Sequence, residues 1–238
     1  MEDQKGLNKH NIVIAGLTAA GKTTHARLTV AEFGFGYVSA STILREKAGF
    51  KDEPPSDFWL SAEGQALSRR IIELGIDEAL QKAEDARDET VFDCRSLPWL
   101  VTHPILSIWL ESSLESRVWK AIISQGKDCR RTVDEIRYEV IGKDERDRDN
   151  LLRTFGFDLF RDHEPMDVIV DLSTLITAPT IHASWRSIRV GQDIISAAVG
   201  LYLTRNDFYR VRLRQLQRQL GPPVFRRFSR HFGQLLAG

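Results

Sequence analysis

Short, nearly unbroken apolar runs recur along the chain at Ile12 to Ala15, Tyr37 to Ser39, Glu89 to Phe92, Ile105 to Leu110 and Val168 to Asp171. Such runs predict strands covered on both faces, because a strand with one wet face alternates apolar and polar residues. Between them, Lys22 to Phe33, Gln65 to Asp85 and Leu114 to Ser124 carry apolar residues at helical spacing. Parallel neighbours need a crossover of about a dozen residues or more, and helices of this length supply it. The pattern therefore predicts a three-layer α/β/α fold around a five-stranded parallel sheet. DEPPSD, Asp52 to Asp57, reads as a turn-rich break inside that unit rather than a boundary.

After Thr177 the pattern changes. ITAPT is a loop signal, Ile188 to Leu203 is an apolar helix, and Asn206 to Leu220 is an arginine-laced helix closed by Gly221, Pro222 and Pro223. The expected organisation is one domain over 1–178 and a helical, basic C-terminal extension over 179–238. Charge sharpens that division. From Leu201 onward eight arginines stand against one acid, Asp207, a formal +7 that the neutral whole offsets with −7 in the preceding residues. Phe208, Tyr209, Phe225, Phe228 and Phe232 are interleaved with them. Basic residues mixed with aromatics suit nucleic acid, and equally suit an amphipathic helix docked on an acidic body. The compensating −7 favours docking, within or between subunits, and points away from a nucleic-acid partner. Ile188 to Leu203 either packs on the sheet or forms a homodimer contact.

With 238 residues, 42% of them hydrophobic, the chain is long enough for a substantial core. Its two cysteines, Cys94 and Cys129, make neither a disulfide framework nor a zinc pattern; they read as a packing and a surface thiol in a reducing compartment. MEDQKGLNKH has no apolar signal core, and no stretch approaches the roughly 18 apolar residues of a membrane span. A cytoplasmic protein with no membrane partner is expected.

GLTAAGKT, Gly16 to Thr23, matches the spacing G-x-x-x-x-G-K-[ST] in full, with a strand before it and a helix after it. In such a loop successive backbone N–H groups, here those of Thr18, Ala19, Ala20, Gly21, Lys22, Thr23 and Thr24, converge on phosphate oxygens. The helix N-terminus adds a favourable dipole. Gly16 and Gly21 allow close approach, Lys22 reaches the β and γ phosphates, and the Thr23 hydroxyl is placed to ligate Mg2+. ATP with Mg2+ is the expected cofactor pair. His25, on the following helix, reads as a packing residue, because a metaphosphate-like transition state needs little base catalysis.

Downstream, YVSASTILREKAGF, VFDCRSLPWL, SIWLESSLESRV, KDERDRDN, FGFD and MDVIVDLS follow in an order that resembles the nucleoside monophosphate kinases, and specifically the cytidylate kinases, over residues 11–174. The resemblance implies a substrate-binding region over 40–88 and a lid over 125–150. It nominates Ser41, at the end of the second strand, and Arg45, on the next helix, for the acceptor phosphate. It adds Arg95 from the Asp93-Cys94-Arg95 motif, and Lys143 and Asp147 from the helix after the lid. Some positions depart from the family. Ser96 stands where bacterial-type cytidylate kinases carry an aspartate that reads the nucleoside, and Lys143 and Asn150 stand where arginines are usual. Lysine offers phosphate a point charge rather than a bidentate fork, so an acceptor other than CMP stays open. Trp99 either stacks on a base or packs in the core.

A phosphoryl group passing between two anions needs positive charge on its equatorial oxygens and exclusion of water. Lys22 supplies one charge. Arg131 in QGKDCRR, then Lys143, Arg146 and Arg148, are candidates for the others, with Arg146 ahead of Arg131 as a catalytic residue. Asp93, at the carboxyl end of an inner strand, is placed to hold Mg2+ directly or through water. The leading expectation is an ATP-dependent phosphotransferase moving the γ-phosphate to a small-molecule acceptor, a nucleoside monophosphate such as CMP or dCMP. The same residues fit a P-loop kinase acting on a hydroxyl of a small metabolite or natural product. From another class, they fit a nucleotide-switched nucleic-acid-binding regulator that uses the basic extension as its reader.

Overall fold

Every residue of β1 (Ile12–Gly16, IVIAG) is buried. Its side chains alternate between opposite faces, so Ile12 and Ile14 join one apolar cluster and Val13 and Ala15 the other. β4 (Leu106–Glu111) repeats the arrangement, with Leu106, Ile108 and Leu110 on the first face and Trp109 on the second. Burying each Ile, Leu or Val contributes roughly 1.5–3 kcal/mol, so both faces must be covered. The expected helices at Lys22 to Phe33, Leu114 to Ser124 and Ile188 to Leu203 are present.

The computed structural model describes residues 10–47, 49, 78–79, 81–83, 85, 89–102, 105–126, 130–221 and 224–237. The expected break at Asp52 to Asp57, most of the expected helix Gln65 to Asp85, and Cys129 lie outside these residues. The remaining elements are α1 (Lys22–Phe33), β2 (Gly36–Ser39), α2 (Ala40–Lys47), β3 (Thr90–Asp93), α3 (Leu97–Leu100), α4 (Leu114–Gln125), α5 (Val133–Phe155), β5 (Val168–Asp171), α6 (Ile181–Thr204), α7 (Asp207–Leu220), β6 (Phe225–Phe228) and α8 (Arg230–Ala237). α5 begins at a capping box between Thr132 and Glu135 and ends at Gly156 in the left-handed region, φ 78°.

The strands are ordered β2-β3-β1-β4-β5-β6. The first five are parallel, and β6 is antiparallel to β5. This corrects the expected five-stranded parallel sheet to six strands, the sixth coming from an extension read as wholly helical. FRRF is only four residues long and its paired arginines mask any two-residue alternation. What places it is Phe225, which is buried, and Phe228, whose ring stacks on Phe232 of α8 at 5.5 Å.

The apolar segment Ile188 to Leu203 falls within α6 and packs on the sheet: Ile194, Ile195, Ala198 and Leu201 share a cluster with Ile12, Ile14 and Leu106. Several arginines of the extension serve it internally. Arg210 Nε donates to the carbonyl of Leu235 at 3.1 Å, and Arg214 Nη2 donates to those of Leu236 and Ala237 at 2.7 and 3.0 Å. Cations there suit the last carbonyls of α8, where the helix dipole is negative. Among the described residues, no helix is long and apolar enough to cross a membrane.

Register brings the chemistry to one edge. Ile14 and Ser39 both pair with Asp93, and Gly16 pairs with Leu110. The carboxyl ends of β2, β3, β1 and β4 therefore open onto a common crevice, where ligands of open α/β sheets bind.

Candidate active site

The loop leaving β1 is held by sterics at both glycines. Gly16 has φ +150°, and a Cβ there would lie 2.6 Å from the carbonyl oxygen of Leu110 on β4. Gly21, the N-cap of α1, has φ +106° and no side-chain cap, which leaves the first-turn amides of the helix to an anion. Lys22 Nζ donates to the carbonyl of Leu17 at 2.8 Å. Burial, and then the Arg95 guanidinium, push the Lys22 ammonium down to about 7, against the pull of Asp93 and Asp144. A buried ammonium beside a guanidinium is short of negative charge, the condition a polyphosphate relieves.

Thr23 Oγ1 donates to Asp93 Oδ2 at 2.6 Å, and the Tyr37 hydroxyl donates to the same oxygen at 3.1 Å. Burial first, and the Asp93 charge second, raise the Tyr37 phenol above its ordinary range. A hydroxyl and a carboxylate in contact at the mouth of the loop are hard oxygen donors of the kind Mg2+ takes, with phosphates and water completing its shell. The residues present fit that ion as two ligands; among the described residues no group of three or more His, Cys, Asp or Glu side chains is placed to hold a metal.

The cations converge through α5. Arg95 Nη2 donates to Thr18 Oγ1 at 2.8 Å, while its Nη1 pairs with Asp147 and lies 3.3 Å from Asp144 Oδ1. Asp144, 2% exposed, accepts the backbone N–H of Thr18 at 2.8 Å and pairs with Arg117 of α4. Lys143 adds its charge to those that lower the Lys22 ammonium. Ser41 Oγ is 3.0 Å from Ser39 Oγ, at the end of β2 beside Asp93, and Arg45 lies on α2 just beyond.

Other candidates stand apart in this conformation. Arg131 pairs with Glu139, near its own end of α5. Arg146 lies back over Gly142, where a Cβ would be 3.2 Å from its Nη1. Arg148 makes two bonds to Asp158, 2.8 and 2.5 Å, with its guanidinium 5.0 Å from the centre of the Phe160 ring. The bonds from Arg148 hold the Asp158 carboxyl down to about 2. Trp99 packs: its ring stacks on Phe157 at 4.5 Å and its Nε1 donates to the carbonyl of Asp162. Cys94 is buried, which pushes its thiol up. Arg117, Lys120, Asp144 and Tyr37 are additions that motif spacing does not reveal.

A strand order of β2-β3-β1-β4-β5, a complete G-x-x-x-x-G-K-T loop and a ring of cations around it are the arrangement of the P-loop kinase class of phosphotransferases. Within that class the sequence is like the cytidylate kinases. It is 26% identical over 162 residues to the cytidylate kinase of Pyrococcus furiosus, covering 68% of this chain and 79% of that one. It is 28% identical over 175 residues to that of Pyrobaculum aerophilum, covering 73% and 89%. No family model matches the chain. Among solved structures, an uncharacterized protein from Eubacterium ventriosum superposes with a TM-score of 0.53 at 11% identity, over 79% of this chain and 97% of that one, a likeness of fold.

Proposed function

We propose that the chain transfers the γ-phosphoryl group of Mg-ATP to a nucleoside monophosphate of the CMP or dCMP kind. The observation that carries this reading is the position of Arg95. A cation from the acceptor-side motif lies 2.8 Å from the hydroxyl of Thr18 in the donor loop, so donor and acceptor phosphates would meet across one guanidinium. In this reading the amides of Ala19 and of Gly21 to Thr24 and the Lys22 ammonium hold the β and γ phosphates, while those of Thr18 and Ala20 are bonded to Asp144 and to the Leu17 carbonyl. Thr23 and Asp93 hold Mg2+, which neutralises charge developing on the phosphates. Ser41, Arg45, Arg95, Lys143 and Asp147 seat the acceptor, and Arg146 and Arg131 reach the transferring group when the lid closes. A phosphate acceptor needs no general base, which accords with a neutral, buried His25.

A second acceptor class has one observation in its favour. Ser96 is buried, with its Oγ 3.8 Å from Cys94 Sγ, so the position that carries a base-reading aspartate in bacterial-type cytidylate kinases offers no carboxylate here. A hydroxyl-bearing metabolite would then replace the nucleotide, with Asp93 or Asp147 taking the hydroxyl proton. Release of ADP from Mg-ATP, followed over a panel of nucleoside monophosphates and small alcohols, separates the two. Turnover with CMP or dCMP supports the first; turnover with an alcohol alone moves the assignment to the second.

A further inference from the structure

α4 presents two cations to the back of the phosphate loop. Arg117 Nη1 donates to the carbonyl of Thr18 at 3.1 Å, and Lys120 Nζ donates to the carbonyl of Ala20 at 3.2 Å. Both are anchored on Ser112, just past β4: Arg117 Nε on its carbonyl at 3.2 Å and Lys120 Nζ on its hydroxyl at 3.1 Å. Three residues apart on one helix, the two side chains share a face. Lys120 stays in this place although burial and Arg117 push its ammonium down to about 8, with Asp171 pulling the other way.

The two carbonyls flank Ala19, which has φ +59°, a left-handed conformation that an L residue keeps only when its surroundings impose it. In a trans peptide the N–H points opposite to the C=O. A cation on the Thr18 carbonyl therefore directs the Ala19 N–H to the other side of the loop, and one on the Ala20 carbonyl does the same for the Gly21 N–H. Right-handed and left-handed residues in succession make the concave row of amides that binds anions. Within the loop the Ala20 N–H donates to the Leu17 carbonyl at 3.2 Å, and α4 adds a second hold from the carbonyl side.

We propose that Arg117 and Lys120 are positioning residues that hold the Ala19 turn in its anion-binding form from the carbonyl side, and so contribute to nucleotide affinity without touching the nucleotide. The proposal rests on the phosphotransferase reading. Lys120 is the cleaner probe, because Arg117 also pairs with Asp144.

The test is calorimetric titration of Mg-ATP into the full chain, wild type and variants. Removing a charged donor from the loop should make Lys120→Met bind about tenfold more weakly or worse. Lys120→Gln, which keeps a neutral donor, should fall between and serves as the comparison if the methionine variant does not fold. Adding Ala19→Gly to Lys120→Met should recover part of the loss, since glycine takes a positive φ unaided; a merely structural lysine would give no such recovery. Binding by a folded Lys120 variant within about twofold of wild type overturns the proposal, as does a loss that Ala19→Gly leaves untouched. If the wild type itself fails to bind Mg-ATP, or binds no better than Lys22→Ala, the phosphotransferase reading falls and takes the proposal with it.

Discussion

His25 Nδ1 lies 3.1 Å from Gln192 Oε1, joining the helix of the phosphate loop to the long helix of the extension. The Gln192 amide nitrogen donates to Ser196 at 3.2 Å and to Thr29 at 3.4 Å, so its oxygen is the atom left for the imidazole, whose proton then sits on Nδ1. Gly191 makes room for this contact: a Cβ there would lie 2.9 Å from His25 Cε1. The extension is thus seated directly behind the loop.

The contact sets a pH dependence. Burial pushes the His25 imidazole down to about 4 from an ordinary 6.5. Between those values the unfolded chain binds a proton that the folded chain does not, so stability falls as pH drops from 6.5 towards 4. Melting temperatures across that window should decline, and the decline should flatten in His25→Gln. An unchanged slope in the variant would place the acid sensitivity elsewhere.

Lys22 acts with the same sign over a higher span of pH. Its ammonium, ordinarily near 10.5, is held at about 7 in the free protein. Above pH 7 the folded chain has shed a proton that the unfolded chain keeps up to 10.5, so the free protein gains stability over that span. Bound phosphate favours the charged ammonium, so at about pH 8.5 Mg-ATP binding should take up close to one proton. Calorimetric enthalpies in two buffers of different ionisation heat measure the uptake, which should vanish in Lys22→Met. Equal enthalpies for the wild type in both buffers would contradict the assignment of Lys22 to the phosphates.

Asp93 accepts from Thr23 and Tyr37 on one oxygen. Asp93→Asn should raise the Mg2+ concentration for half-maximal turnover roughly 10- to 100-fold, the scale seen when a metal site loses a supporting group. Tyr37→Phe, which removes only a neutral donor, should shift it far less. Equal Mg2+ dependence in wild type and Asp93→Asn would remove this carboxylate from the metal site.

The sequence reveals those parts of the fold and site whose determinants are local. Gly16 to Thr23 carries its own geometry in eight residues, and β1 and β4 announce themselves by unbroken apolar runs. Arg117, Lys120 and Asp144 were invisible to spacing because each reaches the loop from about a hundred or more residues away, through a packed helix rather than a motif. In KDERDRDN the same letters serve different ends: Asp144 and Asp147 face the loop cations while Arg148 turns to Asp158. Helical phase and tertiary contact decide that. β6 carries no local signal for a related reason, since FRRF becomes a strand only when β5 offers an edge and Phe232 covers Phe228.

The most direct test of the account follows the γ-phosphate itself. Radiolabelled Mg-ATP is incubated with CMP and the full chain, and labelled CDP is measured for wild type and for Lys22→Ala, with the fold of each checked by circular dichroism. The account predicts labelled CDP from the wild type and its near-complete loss in the folded lysine variant. Label transferred equally well by both proteins, or reaching neither CMP nor any other acceptor of the panel, would contradict it.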